Sequence, residues 1–382
     1  MNYLLSIIIP TKDRYTTLLP VLDSLLNIDS KELEIVVQDN SVNNNDILKY
    51  IELKKPLNLS YYYSNEKLSI VQNSDRAVLN SKGDYICFIG DDDGVMPYII
   101  DVAGWMKIND IEAVKGYKPS YSWPGQQVSY LEKNASGVLR YENFNYGVKK
   151  IDVKKALKYN LSKGGTDLSP LPCLYHGIVS RNVLNKIYNN TKSYFPGPSP
   201  DMANAIALSL YVEDYRLFGF PIVISGKSMS STGGKGVLHK HIAKIEDVPH
   251  LPSTTNSNWS NKVPKYWTGP TIWAESVIKS LEACGGGAKV SEINFSYLYA
   301  ELYVFQFSYR KQIFNDFNNS IYSFKFFFNL ISVFFKRVIT FFKNRLRLKI
   351  TTVYKIDNIG EAIKILDKKT NKKGLPFIKK TV

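Results

Sequence analysis

The sequence predicts an α/β fold in which a mostly parallel central sheet is flanked by helices, with a helical, basic and aromatic appendage at the C-terminal end. Three observations lead there. Apolar, β-branched runs alternate with leucines at helical spacing through the first third of the chain, the rhythm of a parallel sheet with crossover helices. Several of these runs empty into short polar segments, Pro10-Thr11, Asp39-Asn40-Ser41 and Asp91-Asp92-Asp93. Ligands of such sheets bind beyond the carboxyl ends of the strands. Last, positive charge gathers at one end: residues 301–382 hold 17 of the 49 Lys and Arg but 5 of the 34 Asp and Glu, a net +12 of the chain's +15.

Leu4–Pro10 reads as a central strand covered on both faces. Leu18, Leu19, Leu22, Leu25 and Leu26 follow at helical spacing, and Pro20 predicts a helix starting near Thr17, so that the proline sits in the first turn. Glu34–Gln38 and Ser60–Ser64 are the next strands, Ser69–Ser81 a helix, and Tyr85–Ile89 the strand that delivers three carboxylates. Pro97–Asn109 is a helix and Glu112–Tyr117 a strand. Ser120–Gly147 is aromatic and Gly-punctuated, with Val128–Leu131 a candidate strand. Helices are expected at Lys150–Lys158, Asn182–Tyr188, Asp201–Val212 and 271–283, and a strand at Pro221–Ser225. Ser228–His241 has the composition of an active-site loop or of a plain surface loop. Gly285-Gly286-Gly287 breaks the chain and suggests a catalytic domain over 1–284 and a helical basic/aromatic region over 288–382.

With 382 residues, 44% hydrophobic and 22% charged, the chain has an ordinary globular composition. The N-terminal apolar run is short and is followed directly by Lys12, Asp13 and Arg14, so no signal peptide is expected and the cytosol is the predicted compartment. Cys87, Cys173 and Cys284 have no metal-site spacing and are expected to be reduced. The first 300 residues are nearly neutral and carry no recognised nucleic-acid motif, which argues against a nucleic-acid partner. Phe324–Ile350 interleaves aromatic and aliphatic residues with seven cations and no acid. Its apolar stretch, Phe326–Phe335, falls far short of the ~20 residues that span a bilayer. It suits a helix lying on an anionic membrane surface, or alternatively a core or subunit-contact helix with snorkelling cations.

Three adjacent aspartates at a strand end repel one another and need a cation, hydrogen-bond donors or water to stay ionised. A hard divalent ion, Mg²⁺ or Mn²⁺, shared with substrate phosphates is the economical answer. Gly226-Lys227-Ser228 imitates the end of a phosphate-binding loop, but Pro221 stands where its upstream glycine belongs, so an NTPase is rejected. His239 and His241 lack a third ligand for zinc.

LLSIIIPTKDR, EIVVQDNS, the block from Asn73 to Asp93 and PSPD at Pro198–Asp201 together resemble family 2 glycosyltransferases of the GT-A fold, of the type that builds bacterial O-antigens and capsules. The resemblance covers roughly residues 1–230. It implies a nucleoside-diphosphate sugar donor, with Pro10 and Thr11 beside the nucleotide, Asp39 on its base or ribose, and Asn73, Asp91 and Asp92 on the donor. Asp91 and Asp93 would hold Mn²⁺ or Mg²⁺, although Gly90 stands where many relatives carry the first Asp of the motif. Asp201 matches the position of the general base for inverting transfer, its alternative being the N-cap of the following helix. His176 and Arg181 are candidates for acceptor or diphosphate binding, and Lys235 or the two histidines near it for closing over the diphosphate. The basic tail adds an anionic inner-membrane surface and a lipid-linked oligosaccharide acceptor. Competing readings are a catalytically silent glycan- or lipid-binding protein and a nucleotidyltransferase.

Overall fold

The computed structural model describes residues 3–126, 137–229, 231, 243–248, 250–306, 324–346, 349–370 and 374–377. Chain order begins β1 (Leu5–Thr11), α1 (Tyr15–Leu26), β2 (Leu33–Asp39), α2 (Asn45–Lys54), β3 (Leu59–Tyr63), α3 (Ile70–Leu79) and β4 (Tyr85–Phe88). These four strands are parallel, in the order β3-β2-β1-β4. The long apolar runs dictate this: β1 and β2 are buried almost throughout, which only helices on both faces can achieve. The helices supply that cover. Leu18, Val21, Leu22 and Leu25 of α1 are removed from water, each worth about 1.5–3 kcal/mol. Helix α3 starts where its sequence says it should, with Ser69 and Gln72 forming a reciprocal cap. Helix α1 departs from expectation. It begins at Tyr15, two residues early, and carries Pro20 beyond its first turn, forgoing the backbone bond to Thr16 because the leucine stripe is long enough to hold the helix.

The chain continues with β5 (Gly94–Val95), α4 (Ile99–Ile108), β6 (Ala113–Tyr117), β7 (Ser120–Ser122), β8 (Val138–Glu142), β9 (Val148–Ile151), α5 (Val153–Ser162), β10 (Gly177–Ser180), α6 (Arg181–Thr191), α7 (Pro200–Tyr211), β11 (Tyr215–Pro221) and β12 (Val223–Lys227). Strands β10, β6, β11 and β9 extend the first four into an eight-stranded sheet. In it β6 and β11 share the direction of β1, while β10 and β9 run against it. The architecture is therefore the mixed α/β, mostly parallel sheet flanked by helices that the sequence predicts. The candidate strand at Val128–Leu131 lies outside the described residues.

Beyond β12 come β13 (Ala243–Lys244), β14 (Tyr266–Trp267), α8 (Gly269–Ala283), α9 (Phe295–Phe305), α10 (Phe324–Leu346), β15 (Ile350–Val353) and α11 (Ile359–Lys369). The chain beyond the triple glycine returns to the first part of the fold. Strand β15 pairs antiparallel with β8 in a second sheet, ordered β15-β8-β7-β12-β5, and Ile356, Ile359, Ala362 and Leu366 enter the same core as β1 and α1. Residues 350–369 thus pack onto the first part of the chain, their apolar side chains covering α1 and β5. Among the described residues no helix is long and apolar enough to cross a membrane.

Asp75 joins α3 to the chain before α7 by accepting the Ser193 hydroxyl at 2.8 Å and the Tyr194 N–H at 2.7 Å. Burial pushes its carboxyl up to about 6, although those bonds oppose the rise. Between the ordinary 3.8 and about 6 the folded chain holds the proton more tightly than the unfolded chain, so this group's contribution falls as pH rises through that window. Asp75→Asn deletes that dependence. Relative to wild type, the variant should gain on the order of 2 kcal/mol between pH 4 and pH 7, read from urea unfolding at both values; a constant difference would show that Asp75 ionises normally.

Candidate active site

The crevice opens at the carboxyl edge of the sheet, where β1 has β2 on one side and β4 on the other and the strand order reverses. Thr11 and Asp39 are register partners at the ends of β1 and β2. Asp39 is fully buried and accepts the Tyr15 hydroxyl at 2.5 Å, the Tyr61 hydroxyl at 2.9 Å and the Ser41 N–H at 2.8 Å. Pro10 lies in β1 beside Gln38. Asn73, on the inner face of α3, donates to the Thr11 carbonyl at 3.3 Å and leaves its own carbonyl oxygen buried without a partner.

Asp91, Asp92 and Asp93 follow β4 directly and are all buried. Asp91 accepts the Thr11 hydroxyl at 2.6 Å, and the guanidinium of Arg14 reaches Asp91 and Asp92 at 2.8 Å each. The same guanidinium donates to the Ser228 hydroxyl at 2.8 Å, and Ser228 in turn gives Asp92 its hydroxyl at 2.7 Å and its N–H at 3.1 Å. Asp93 is held separately, by the N–H groups of Gly90 at 2.6 Å and Gly226 at 2.7 Å and by His176 Nε2 at 2.6 Å. Burial pushes Asp91 up to about 7; Arg14 pulls it down and Asp92 pushes it further up. Asp92 is raised by burial and by the charge of Asp93. Burial acts the same way on Asp93, but its three bonds outweigh it and hold the carboxyl below the ordinary range. His176 is depressed, first by burial. With its proton on Nε2 the ring donates to Asp93, leaving Nδ1 to accept Lys118 Nζ at 3.3 Å.

As arranged, the cluster does not fit a divalent ion. Four of the six carboxylate oxygens accept protein hydrogen bonds, Asp91 Oδ1 is only ion-paired to Arg14 at 2.8 Å, and the charge that would compensate Asp91 and Asp92 is supplied by that guanidinium. No group of three or more ligating side chains with metal-site geometry occurs among the described residues.

Asp201 stands in the first turn of α7, half-exposed, accepting the Ser199 hydroxyl at 2.5 Å and the Met202 N–H at 2.8 Å. The N-cap of that helix is Ser199 and Pro200 begins it, so Asp201 is not the capping residue. Its backbone carbonyl accepts Cys173 Sγ at 3.5 Å, in the segment that leads to His176, so it stands on the same edge as the acid cluster. His176 joins the site and Arg181 does not. Strand β10 runs antiparallel to β4, so the stretch containing both starts at the carboxyl edge and ends at the opposite one, where Arg181 donates to the Gly83 carbonyl at 2.6 Å and to Ser81 at 3.0 Å. Lys235, His239 and His241 lie outside the described residues.

Sequence reasoning missed Arg14, Gly226, Ser228 and Lys118. A signal existed for two of them in Gly226-Lys227-Ser228, read as a failed phosphate loop. Gly226 is needed because a Cβ there would lie 1.7 Å from the Asp92 carbonyl oxygen, and that close approach lets β12 present its N–H to Asp93. His176 has a left-handed backbone, φ 63°, which turns its ring back onto Asp93.

Residues 6–159 match the model of a family described as glycosyl transferase family 2. No curated protein matches the chain in sequence. Solved structures that align with it include those of S. aureus TarS. For TarS 1–349 the alignment covers 59% of this chain and 60% of that one, with 16% identity and a TM-score of 0.42. For TarS 1–349 in complex with UDP-GlcNAc it covers 82% and 88%, with 14% identity and a TM-score of 0.46. A further structure of TarS is covered over 54% of its length, with 13% identity and a TM-score of 0.45.

Removing one partner of a buried ion pair strands the other. Arg14→Ala should therefore lower stability by on the order of 3 kcal/mol. Mn²⁺ should restore part of this loss in the variant while leaving wild type nearly unchanged, measured by thermal unfolding with and without the ion. Equal stabilisation of both proteins would show that the guanidinium does not hold the cation's place.

Proposed function

We propose that this chain transfers a glycosyl group from a nucleoside-diphosphate sugar to an acceptor hydroxyl, with inversion at the anomeric carbon. The observation that carries the reading is the convergence of Thr11, Asp39, Asn73 and Asp91–Asp93 on the β1/β4 crevice, inside the span that matches the family model. Asp39, fixed by two tyrosines, accepts hydrogen bonds from the base or ribose. The crevice around Thr11 and Asp91 takes the diphosphate end. Asp201 removes the acceptor proton as the hydroxyl oxygen bonds to the anomeric carbon and the bond from that carbon to the diphosphate breaks, the electron pair leaving with the nucleotide. A catalytically silent binding protein is the second reading, favoured by the saturation of the acid cluster. Release of free nucleoside diphosphate from a sugar donor in the presence of acceptor separates the two.

The acceptor side of the proposal is a lipid-linked glycan of a bacterial surface polysaccharide, reached from the inner face of the membrane. Support comes from α10. Val333 is buried against Tyr297, Ala300 and Val304 of α9, while Phe324, Phe327, Phe328, Ile331, Phe334 and Phe335 are exposed along one stripe. Lys325 and Lys336 fall at helical spacing beside that stripe. Aromatic side chains flanked by cations are suited to lying in the headgroup region of an anionic leaflet.

Two outcomes are expected. Asp201→Asn should keep its nucleoside-diphosphate affinity within a few-fold and lose roughly 10²–10⁴ in turnover, the usual worth of a general base, measured by nucleotide release; normal turnover would remove Asp201 from the chemistry. Separately, the protein should co-sediment with vesicles containing anionic lipid, with salt releasing only part of it because aromatic insertion is not screened. Phe334→Ser with Phe335→Ser should make the remainder salt-sensitive. Indifference of the wild type to such vesicles would sink the membrane assignment.

A further inference from the structure

Beyond the acid cluster, on the side away from β1, the same sheet edge is positively charged. Lys115 lies in β6 opposite Gly177, the residue after His176. Lys118 follows the end of β6 and contacts His176 at 3.3 Å. Lys227 closes β12 between Gly226, which binds Asp93, and Ser228, which binds Asp92. Among the described residues none of the three forms an ion pair. Lys118 and Arg140 repel Lys227, and Lys118 repels Lys115. Burial adds to both effects and comes first in size, holding Lys115 and Lys227 below the ordinary lysine range. The carboxylates of Asp201 and Asp167 act on Lys115 only from a distance. Like charges gathered in a half-buried place cost free energy unless an anion joins them.

We propose that Lys115, Lys118 and Lys227 form a binding site for a phosphoryl group carried by the acceptor. The chemistry follows from the donor set, since ammonium groups on flexible stems brought by two chain segments, the end of β6 and the end of β12, suit a doubly charged tetrahedral anion as point charges. The assignment to the acceptor follows from position. The donor crevice lies at β1 and β4, whereas Lys115 is on β6, two strands further along, with Asp93 and His176 between them. The Asp201 carbonyl accepts Cys173 Sγ at 3.5 Å, three residues before His176 and four before the Gly177 that pairs with Lys115, so an anion held there belongs to the molecule that Asp201 would deprotonate. This placement rests on the glycosyl-transfer reading; the existence of the anion site does not. Lys118 also holds His176, so filling the site draws on one cation that already orients the Asp93 partner.

The test is equilibrium dialysis of the full chain against radiolabelled inorganic phosphate in an anion-poor buffer, with and without saturating nucleoside diphosphate. Wild type should take up one phosphate in both arms. The exposed Lys118→Glu should weaken uptake at least about tenfold, the equivalent of one lost charge-assisted contact, and Lys115→Gln and Lys227→Gln should each weaken it several-fold with the nucleoside-diphosphate affinity unchanged. Phosphate uptake that survives Lys118→Glu overturns the site. Phosphate that is displaced by the nucleotide assigns the lysines to the donor's own diphosphate and overturns the acceptor assignment. Failure of any nucleoside diphosphate to bind would instead count against the proposed function, and the arm without nucleotide would still read the anion site.

Discussion

The structure turns on the burial of three consecutive carboxylates at the end of one short strand. Taking a carboxylate out of water costs several kcal/mol even after relaxation, and Asp91, Asp92 and Asp93 are each nearly inaccessible. Two different solutions share the work. Asp91 and Asp92 are compensated by one guanidinium, whose planar fork spans both. Asp93 is compensated by directed N–H groups and a histidine. Much of the surrounding fold exists to bring these donors in. The loop after β1 brings Arg14, the turn into β10 brings His176, and β12 returns from the far side of the sheet to place Gly226 and Ser228. The Asp92 carbonyl is tied as well, by the Trp123 indole N–H at 2.8 Å.

That dependence explains which parts of the fold are legible in the sequence. Strands β1, β2 and β4 and helix α3 can be read directly, because a continuous apolar run or a Ser-x-x-Gln cap is a local cause of local structure. Strand β10 is not legible. Gly177–Ser180 is four residues long, and its strand character is conferred by the edges of β4 and β6 on either side. The same holds for β15, whose partner β8 is more than two hundred residues earlier in the chain. Residues 350–369 read as part of a basic tail only because they follow one, since their four lysines face three acids, whereas Ile359, Ala362 and Leu366 decide their place.

The site divides in the same way. Asp39 and the aspartate triplet can be found as polar ends of strands. Arg14 cannot be singled out, since a lysine-aspartate-arginine run after a strand is ordinary loop composition; its meaning lies in the geometry of two carboxylates eighty residues away. Arg181 errs in the opposite direction. It looks promising beside His176, but an antiparallel strand separates the ends of that stretch by its whole length, roughly 3.3 Å per residue.

Packing also relates the chemistry to the aromatic helix. Met202, Ala205 and Ile206 of α7, which begins at the Asp201 turn, share a core with Ala274, Val277 and Ile278 of α8 and with Leu298 and Leu302 of α9. The other side of α9 receives Val333 of α10, and Lys336 and Arg337 reach across to Glu301 and the Val304 carbonyl. Close-packed cores resist sliding. The exposed phenylalanine stripe and the turn carrying Asp201 are therefore connected through three successive helix contacts. A surface that held α10 would hold the Asp201 turn at a fixed height above it, as the proposed transfer to a lipid-linked hydroxyl requires.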